Sequence, residues 1–168
     1  MPERPASLVI NTSPLLALVA ATGNLDILHF MYSRVVVPME VAEEIRAGGP
    51  KAFGLDVFNE AAWLDFQELP VSLQPLLQNS LDRGEASVIQ TAINLDVPLV
   101  CIDETAGRRI ARLCELSLTG SVGILLKAHR LGYPIEIPEA LQRMHQQGIW
   151  LSDRVIQFAL SQYMEGRE

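Results

Sequence analysis

The chain has 168 residues, of which 49% are apolar and 20% are charged, so it is long enough to bury the core of one domain. Its formal net charge of -7 argues against a protein that coats nucleic acid with a basic face, because that affinity comes largely from neutralised phosphates. An acidic chain can still cut nucleic acid if its carboxylates gather around divalent cations, and it can dock a basic partner protein. The sequence has two cysteines, no apolar run as long as a membrane helix and no signal-peptide pattern at its start. We therefore expect a cytoplasmic protein with no membrane span.

The first predicted elements are a strand over residues 7–10 and a helix that ends near residue 21. Ser13 is the expected N-cap of that helix and Pro14 its first residue, where the missing amide hydrogen of proline costs nothing. A helix over 25–31, an apolar strand over 34–37 and helices over 38–47 and 51–60 follow. Residues 63–69 alternate apolar and polar side chains, which predicts a half-exposed edge strand.

The second half continues the alternation of helices and strands. It has a helix or turn over 73–81, a helix over 84–95, a buried strand over 98–102, a helix over 105–114, a strand over 116–118 and a helix over 120–131. Amphipathic helices over 138–147 and 152–164 form the tail. This order predicts a three-layer α/β/α fold with a central, mostly parallel sheet. We expect residues 1–135 to form the domain and residues 136–168 a C-terminal helical extension packed on it.

Polar residues that follow the predicted strands are the first candidates for a functional site, because ligands in such folds bind beyond the carboxyl ends of the strands. Carboxylates gathered there repel one another unless cations lie between them, and Mg²⁺ or Mn²⁺ suits such oxygen ligands. Two such ions can activate a water and stabilise the leaving oxygen of a phosphodiester. The candidates are Asn11-Thr12-Ser13, Glu44 with Glu40 and Glu43 nearby, Asp82 to Glu85, Asp103-Glu104 and Thr119-Gly120-Ser121.

Five short blocks follow one another along the chain. They are VINTSPL at 9–15, VVP at 36–38 with Val41 and Glu44, Gly84-Glu85-Ala86, Ile102-Asp103-Glu104 with Arg108 and Ala111, and TGSVG at 119–123. In this order and spacing the blocks resemble the PIN-domain family, in particular a branch related to the VapC-type toxin ribonucleases. The resemblance covers roughly residues 8–132.

The resemblance implies a Mg²⁺- or Mn²⁺-dependent ribonuclease with a catalytic metal site of acidic residues. Glu44, Glu85 and Asp103 match acidic metal-site positions, whereas Asn11 lies where most catalytic members carry aspartate. An amide oxygen can ligate a cation, but it lowers the charge of the site by one. Asp103 and Glu44 are expected to hold the first ion with help from Asn11. Glu85 is expected to support a second ion or to orient a water.

A further group of residues near this edge is expected to bind the substrate. The amides of Gly120 and Ser121, at a predicted helix start, are candidates to hold a phosphate. The guanidinium of Arg108 suits a phosphate by its forked geometry, but it equally suits pairing with a carboxylate. The predicted substrate-binding residues are Thr12, Ser13, Arg108, Thr119, Gly120 and Ser121.

Structural roles explain several of these residues without any chemistry. Asp82 and Glu85 have the spacing of a capping box at the start of a helix. Glu44 lies on a helix where two of the three glutamates are expected to be solvated, and Asn11 and Thr12 are residue types that shape turns before helices. The sequence leaves these alternatives open.

Two functions from different classes therefore compete. One is an endoribonuclease that acts on RNA, as the toxin of a toxin–antitoxin pair with a small antitoxin protein as partner. The other is a catalytically weak PIN-like module that binds nucleic acid or a protein. The apolar sides of the tail helices are a candidate homodimer surface.

Overall fold

A five-stranded sheet forms the centre of the computed structural model of the protein, which describes residues 7–166. All pairings between its strands are parallel. The strands are β1 (Ser7–Ile10), β2 (Arg34–Val37), β3 (Asp65–Phe66), β4 (Leu99–Cys101) and β5 (Ser117–Thr119), in the spatial order β3-β2-β1-β4-β5. Since β1 is central, its carboxyl end lies between those of β2 and β4.

Helices flank the sheet and complete the predicted three-layer α/β/α arrangement. They are α1 (Thr12–Thr22), α2 (Asp26–Met31), α3 (Met39–Arg46), α4 (Leu55–Glu60), α5 (Pro75–Ser80), α6 (Arg83–Leu95), α7 (Thr105–Leu113), α8 (Ser121–Arg130), α9 (Ile137–Gln146) and α10 (Asp153–Glu165). Helix α6 packs on β1 and β4, and α2 packs on β2. The apolar residues of β1 and β2 are fully buried, as predicted for strands that are covered on both faces.

Three predicted elements differ from the structure for local reasons. The N-cap position of α1 is Asn11 rather than Ser13, so the helix begins one residue before Ser13. The edge strand lies where it was predicted but is only Asp65–Phe66, because the chain before it is still turning, with the Leu64 amide donating to the Ala61 carbonyl. Helix α4 begins at Leu55 rather than near residue 51, because Gly54 adopts a left-handed φ of 80° that interrupts a right-handed helix. Strands β1 and β2 have the predicted bounds, and the remaining elements differ by one or two residues at their ends.

The tail helices pack against the rest of the chain. Helix α9 lies along α1, and α10 contacts both α8 and α9. The Arg143 Nε donates to the carbonyl of Ala21 at 2.7 Å, at the carboxyl end of α1 where carbonyls lack helical partners. The division of the chain at residue 136 stays a prediction. Over residues 7–166, no helix is both long and apolar enough to cross a membrane.

Candidate metal centre

Asn11, which joins β1 to α1, and the first two residues of α1, Thr12 and Ser13, lie at the carboxyl edge of the sheet. The Asn11 amide nitrogen donates to the Cys101 carbonyl at 3.1 Å, which extends the β1–β4 pairing to the start of the site. The Asn11 side chain is buried and makes no capping hydrogen bond, and its Oδ1 has no hydrogen-bond partner. A buried amide oxygen without a partner is costly. Asn11 therefore does not act through its side chain as a helix cap, although it lies at the N-cap position.

Oxygen atoms from three separate segments converge on Gly84 at the start of α6. A Cβ atom at this position would lie 2.7 Å from Glu44 Oε2, 3.3 Å from Asn11 Oδ1 and 3.5 Å from Asp82 Oδ1. The absence of a Cβ at Gly84 lets the Glu44 carboxylate approach the backbone this closely. We call this group of oxygens from Glu44, Asn11 and Asp82 around Gly84 the cradle. These oxygens are ligands of the kind that a hard divalent cation prefers.

A second group of carboxylates adjoins the cradle. One oxygen from each of Asp82, Glu85 and Glu104 lies within 4.8 Å of the other two. Asp82 also caps α6, because its Oδ1 accepts from the Glu85 amide at 2.8 Å. The predicted capping role of Asp82 is thus present, and the same side chain faces the other carboxylates.

Glu85 is the buried member of that group, with 3% of its surface exposed. Burial, the hydrogen bond with Glu104 and the charges of Asp82, Glu104 and Glu44 together raise its pKa from 4.5 to about 8. Its Oε1 has no hydrogen-bond partner. A carboxylic acid in this position keeps its proton at neutral pH unless a cation is available to replace it. Together with the unpartnered Asn11 Oδ1, this group fits a bound divalent metal.

Asp103 lies beyond the end of β4, next to Glu104, and both of its oxygens are held by Ser121. Oδ1 accepts from the Ser121 amide at 2.8 Å and Oδ2 accepts from the Ser121 hydroxyl at 2.7 Å. Gly120 permits this approach, since a Cβ there would lie 2.7 Å from Asp103 Oδ1. The Ser121 amide, a predicted phosphate donor, is therefore engaged by Asp103 in this structure. Each carboxylate oxygen retains a lone pair, so Asp103 can still ligate a cation.

Two hydroxyl groups at this edge donate to carboxylates, and the role of Thr12 and Ser13 in substrate binding stays a prediction. Thr12 Oγ1 donates to Glu44 Oε2 at 3.1 Å, and Ser13 Oγ donates to Glu104 Oε1 at 3.2 Å. With Ser121 and Asp103, this makes three hydroxyl–carboxylate pairs around one edge of the sheet. A pair of this kind fixes the direction of the carboxylate lone pairs.

Arg108 and Thr119 close the β5 side of the site. Arg108 Nη1 donates to the Ile102 carbonyl at 2.8 Å and to the Thr119 carbonyl at 3.3 Å, which joins the ends of β4 and β5. Thr119 Oγ1 donates to the Gly120 carbonyl at 3.4 Å. Roles of these residues in substrate binding stay predictions.

Asn11, Thr12, Glu44 and Glu85 are thus brought together, and Asp103 follows the neighbouring strand in contact with Ser121. Asp82 and Glu104 belong to the acidic group, although the sequence indicates them only as neighbours of the predicted ligands Glu85 and Asp103. The burial of Glu40 is likewise not indicated by the sequence. A single glutamate on the first turn of a helix carries no local sign of burial.

The parallel sheet with helices on both faces and acidic side chains beyond its strand ends defines an α/β protein whose candidate site lies at the carboxyl edge of the sheet. A family model described as a PIN domain matches residues 7–165, and the chain belongs to the PIN-domain family. PIN domains are generally nucleases that act on nucleic acids, and they typically use divalent metals. A comparison with curated proteins finds no matching relative.

Proposed function

We propose that this protein is a Mg²⁺- or Mn²⁺-dependent endoribonuclease that hydrolyses phosphodiester bonds at the edge of the sheet where β1 and β4 end. The observation that carries the proposal is the convergence of Glu44, Asn11 and Asp82 oxygens on the cradle at Gly84. The buried Glu85 carboxyl group beside it supports the same conclusion, because its unpartnered oxygen lacks a counter-charge.

The side chains have separable roles in this proposal. Glu44, Glu85 and Asp103 would hold cations with Asn11 as a neutral ligand, and the adjacent Asp82 and Glu104 add negative charge. The bound cations would supply an activated water and would stabilise the leaving oxygen. Thr12, Ser13 and Ser121 would keep the carboxylates in position through their hydrogen bonds.

The test compares matched variants on the same substrates. Purified protein is incubated with single-stranded RNA, structured RNA and single-stranded DNA in Mn²⁺, Mg²⁺ or EDTA. Glu44→Gln and Asp103→Asn should each lower the rate of RNA cleavage by roughly 100-fold or more, because each removes a charge from the metal centre. Glu43→Gln is the control, since Glu43 precedes Glu44 on α3 but pairs with Arg83 at the surface.

Two outcomes would contradict the proposal. Equal cleavage by all variants would point to a contaminating nuclease. Binding of metal and RNA without cleavage by any version would favour the alternative, a PIN-like module that binds nucleic acid or protein. The relation to VapC-type toxins, a small antitoxin partner, a homodimer through the tail and a cytoplasmic location stay predictions.

A further inference from the structure

A second cavity lies at the same edge of the sheet, beyond the ends of β2 and β3, and has a volume of about 200 Å³. Pro38 and Glu40 from the start of α3 line one side, Gln67 and Val71 line another, and Thr91 from α6 contributes as well. The residues around the Gly84 cradle do not line it, so it is distinct from the metal centre. Liquid water occupies roughly 30 Å³ per molecule, so the cavity is large enough for a planar organic group.

Glu40 is the one charged side chain among the described residues that line this cavity, and it is 6% exposed. Its Oε1 accepts from the Val71 amide at 2.8 Å, which joins α3 to the segment after β3. Its Oε2 has no hydrogen-bond partner. An unsatisfied buried carboxylate oxygen is costly, so a ligand that donates one hydrogen bond to it would gain affinity.

The single available oxygen limits the chemistry of that ligand. A guanidinium group forms its strongest contact with both oxygens of a carboxylate, and Val71 already occupies one of them. A group with one suitably placed N–H is the better match. The walls combine apolar Leu69 and Leu95 with the amides of Gln67 and Asn94, which suits a flat ring that has apolar faces and a polar edge.

The position of the cavity relates it to the metal centre. Glu40 and Glu44 are four residues apart on α3, so they lie on the same side of the helix and about 6 Å apart along its axis. A single strand of RNA whose phosphate is held at Glu44 through a bound cation would therefore place a neighbouring base within reach of this cavity. Proteins recognise such unstacked bases by hydrogen bonds to their edges.

We infer that this cavity is a base-binding subsite in which Glu40 accepts a hydrogen bond from the exocyclic amino group of a nucleobase in single-stranded RNA. Cytosine and uracil have the same ring size but differ at this group, since cytosine carries an amino donor where uracil carries a carbonyl acceptor. The subsite therefore prefers cytosine to uracil. This inference takes its substrate class from the proposed nuclease function, but it concerns binding and can be measured without cleavage.

The experiment measures fluorescence anisotropy with labelled oligomers of cytidylate and of uridylate of equal length. The full chain carries Asp103→Asn in all samples, in order to block hydrolysis. We expect the cytidylate oligomer to bind about tenfold more tightly. Glu40→Gln should reduce that preference to within about twofold, because the glutamine amide can also donate to the uracil carbonyl. Glu43→Gln on the same helix should keep the full preference.

A second variant keeps the test decisive if Glu40→Gln does not fold. Ser72 is exposed and lines the cavity, so Ser72→Phe should fill it without disturbing the core and should remove the preference for cytidylate. Equal affinities for the two oligomers in the parent, no binding of either oligomer, or a preference that survives both variants would overturn the inference.

The two proposals can fail separately. Metal-dependent cleavage with no preference between the bases would refute the subsite and leave the nuclease intact. A preference for cytidylate that depends on Glu40, in a protein that cleaves no RNA, would support the subsite and refute the hydrolytic function.

Discussion

The stability of the protein should depend on pH through Glu85, the buried carboxyl group of the metal centre. Its pKa is raised from 4.5 to about 8, chiefly by burial. In the unfolded chain the group ionises near pH 4.5, whereas in the folded protein it keeps its proton until about pH 8. The folded state thus binds more protons within this window. By linkage, the stability that the protonated Glu85 contributes is fully present below pH 4.5 and is lost as the pH rises toward 8.

The size of this loss follows from the shift in the pKa. One pKa unit corresponds to about 1.4 kcal/mol, so the free energy of unfolding should fall by about 1.4 kcal/mol per pH unit within the window. Over the shift from 4.5 to about 8 the loss should reach a few kcal/mol, because solvent at the edge of the sheet screens part of the effect. This is a large part of the total stability of an ordinary domain, about 5–15 kcal/mol.

Urea unfolding followed by circular dichroism measures the effect, with EDTA present and the pH varied in steps across the window. The comparison is between the unmodified protein and Glu85→Gln, because glutamine has the same shape and can keep a hydrogen bond with Glu104 but does not ionise. The unfolding free energy of the unmodified protein should fall relative to that of Glu85→Gln as the pH rises. The titration of other groups affects both proteins alike, so it cancels in the comparison. Saturating Mn²⁺ should reverse the trend for the unmodified protein, since the ionised carboxylate then has a counter-charge. Parallel pH profiles for the two proteins in EDTA would refute the argument.

Four further substitutions, at three positions, separate the folding and binding roles of the centre, with Mn²⁺ affinity measured by calorimetry and stability by thermal unfolding in EDTA. Gly84→Ala should lower Mn²⁺ affinity, because the new methyl group displaces the flexible end of Glu44. Its stability should be unchanged or up to about 1 kcal/mol higher, because alanine favours the helix. A large loss of stability would contradict this. Asn11→Asp should raise Mn²⁺ affinity roughly tenfold and lower stability in EDTA, because it adds a charge to the crowded cradle; unchanged affinity would show that Asn11 is not a ligand. Asp82→Asn should weaken Mn²⁺ binding but retain the helix cap. Asp82→Ala also removes the cap, so it should be about 1 kcal/mol less stable than Asp82→Asn. Equal stabilities of these two variants would argue against the cap.

Much of the fold follows from the sequence because the local signals agree with the final packing. The strands at Ser7–Ile10 and Arg34–Val37 are continuous apolar runs, and the structure gives them the predicted bounds. The predictions that failed depend on backbone conformations that the residue types do not determine. The start of α4 depends on a left-handed glycine, and glycines of this kind cannot be told in the sequence from any other glycine.

The candidate site was predictable to the extent that topology alone determines it. Strand ends of a parallel sheet meet at one edge, so the approach of Asn11, Glu44 and Glu85 could be anticipated from the predicted parallel sheet together with the family resemblance. The partners of each side chain could not. Ser121 donates to Asp103, and this contact depends on the absence of a Cβ at Gly120, which no sequence pattern indicates.

The neutral side chain of Asn11 has a physical rationale in the carboxylates that already surround it. The charges of Glu44, Asp82 and Glu104 contribute to the raised pKa of Glu85, which therefore retains its proton at neutral pH. A further carboxylate at position 11, which is buried, would add to this repulsion before any cation is bound. An amide offers a ligand oxygen without that cost, so the folded chain can exist in the absence of metal. Since Asp82 and Glu104 add negative charge beside the cradle, an asparagine at position 11 does not by itself imply a site too weak to hold divalent cations.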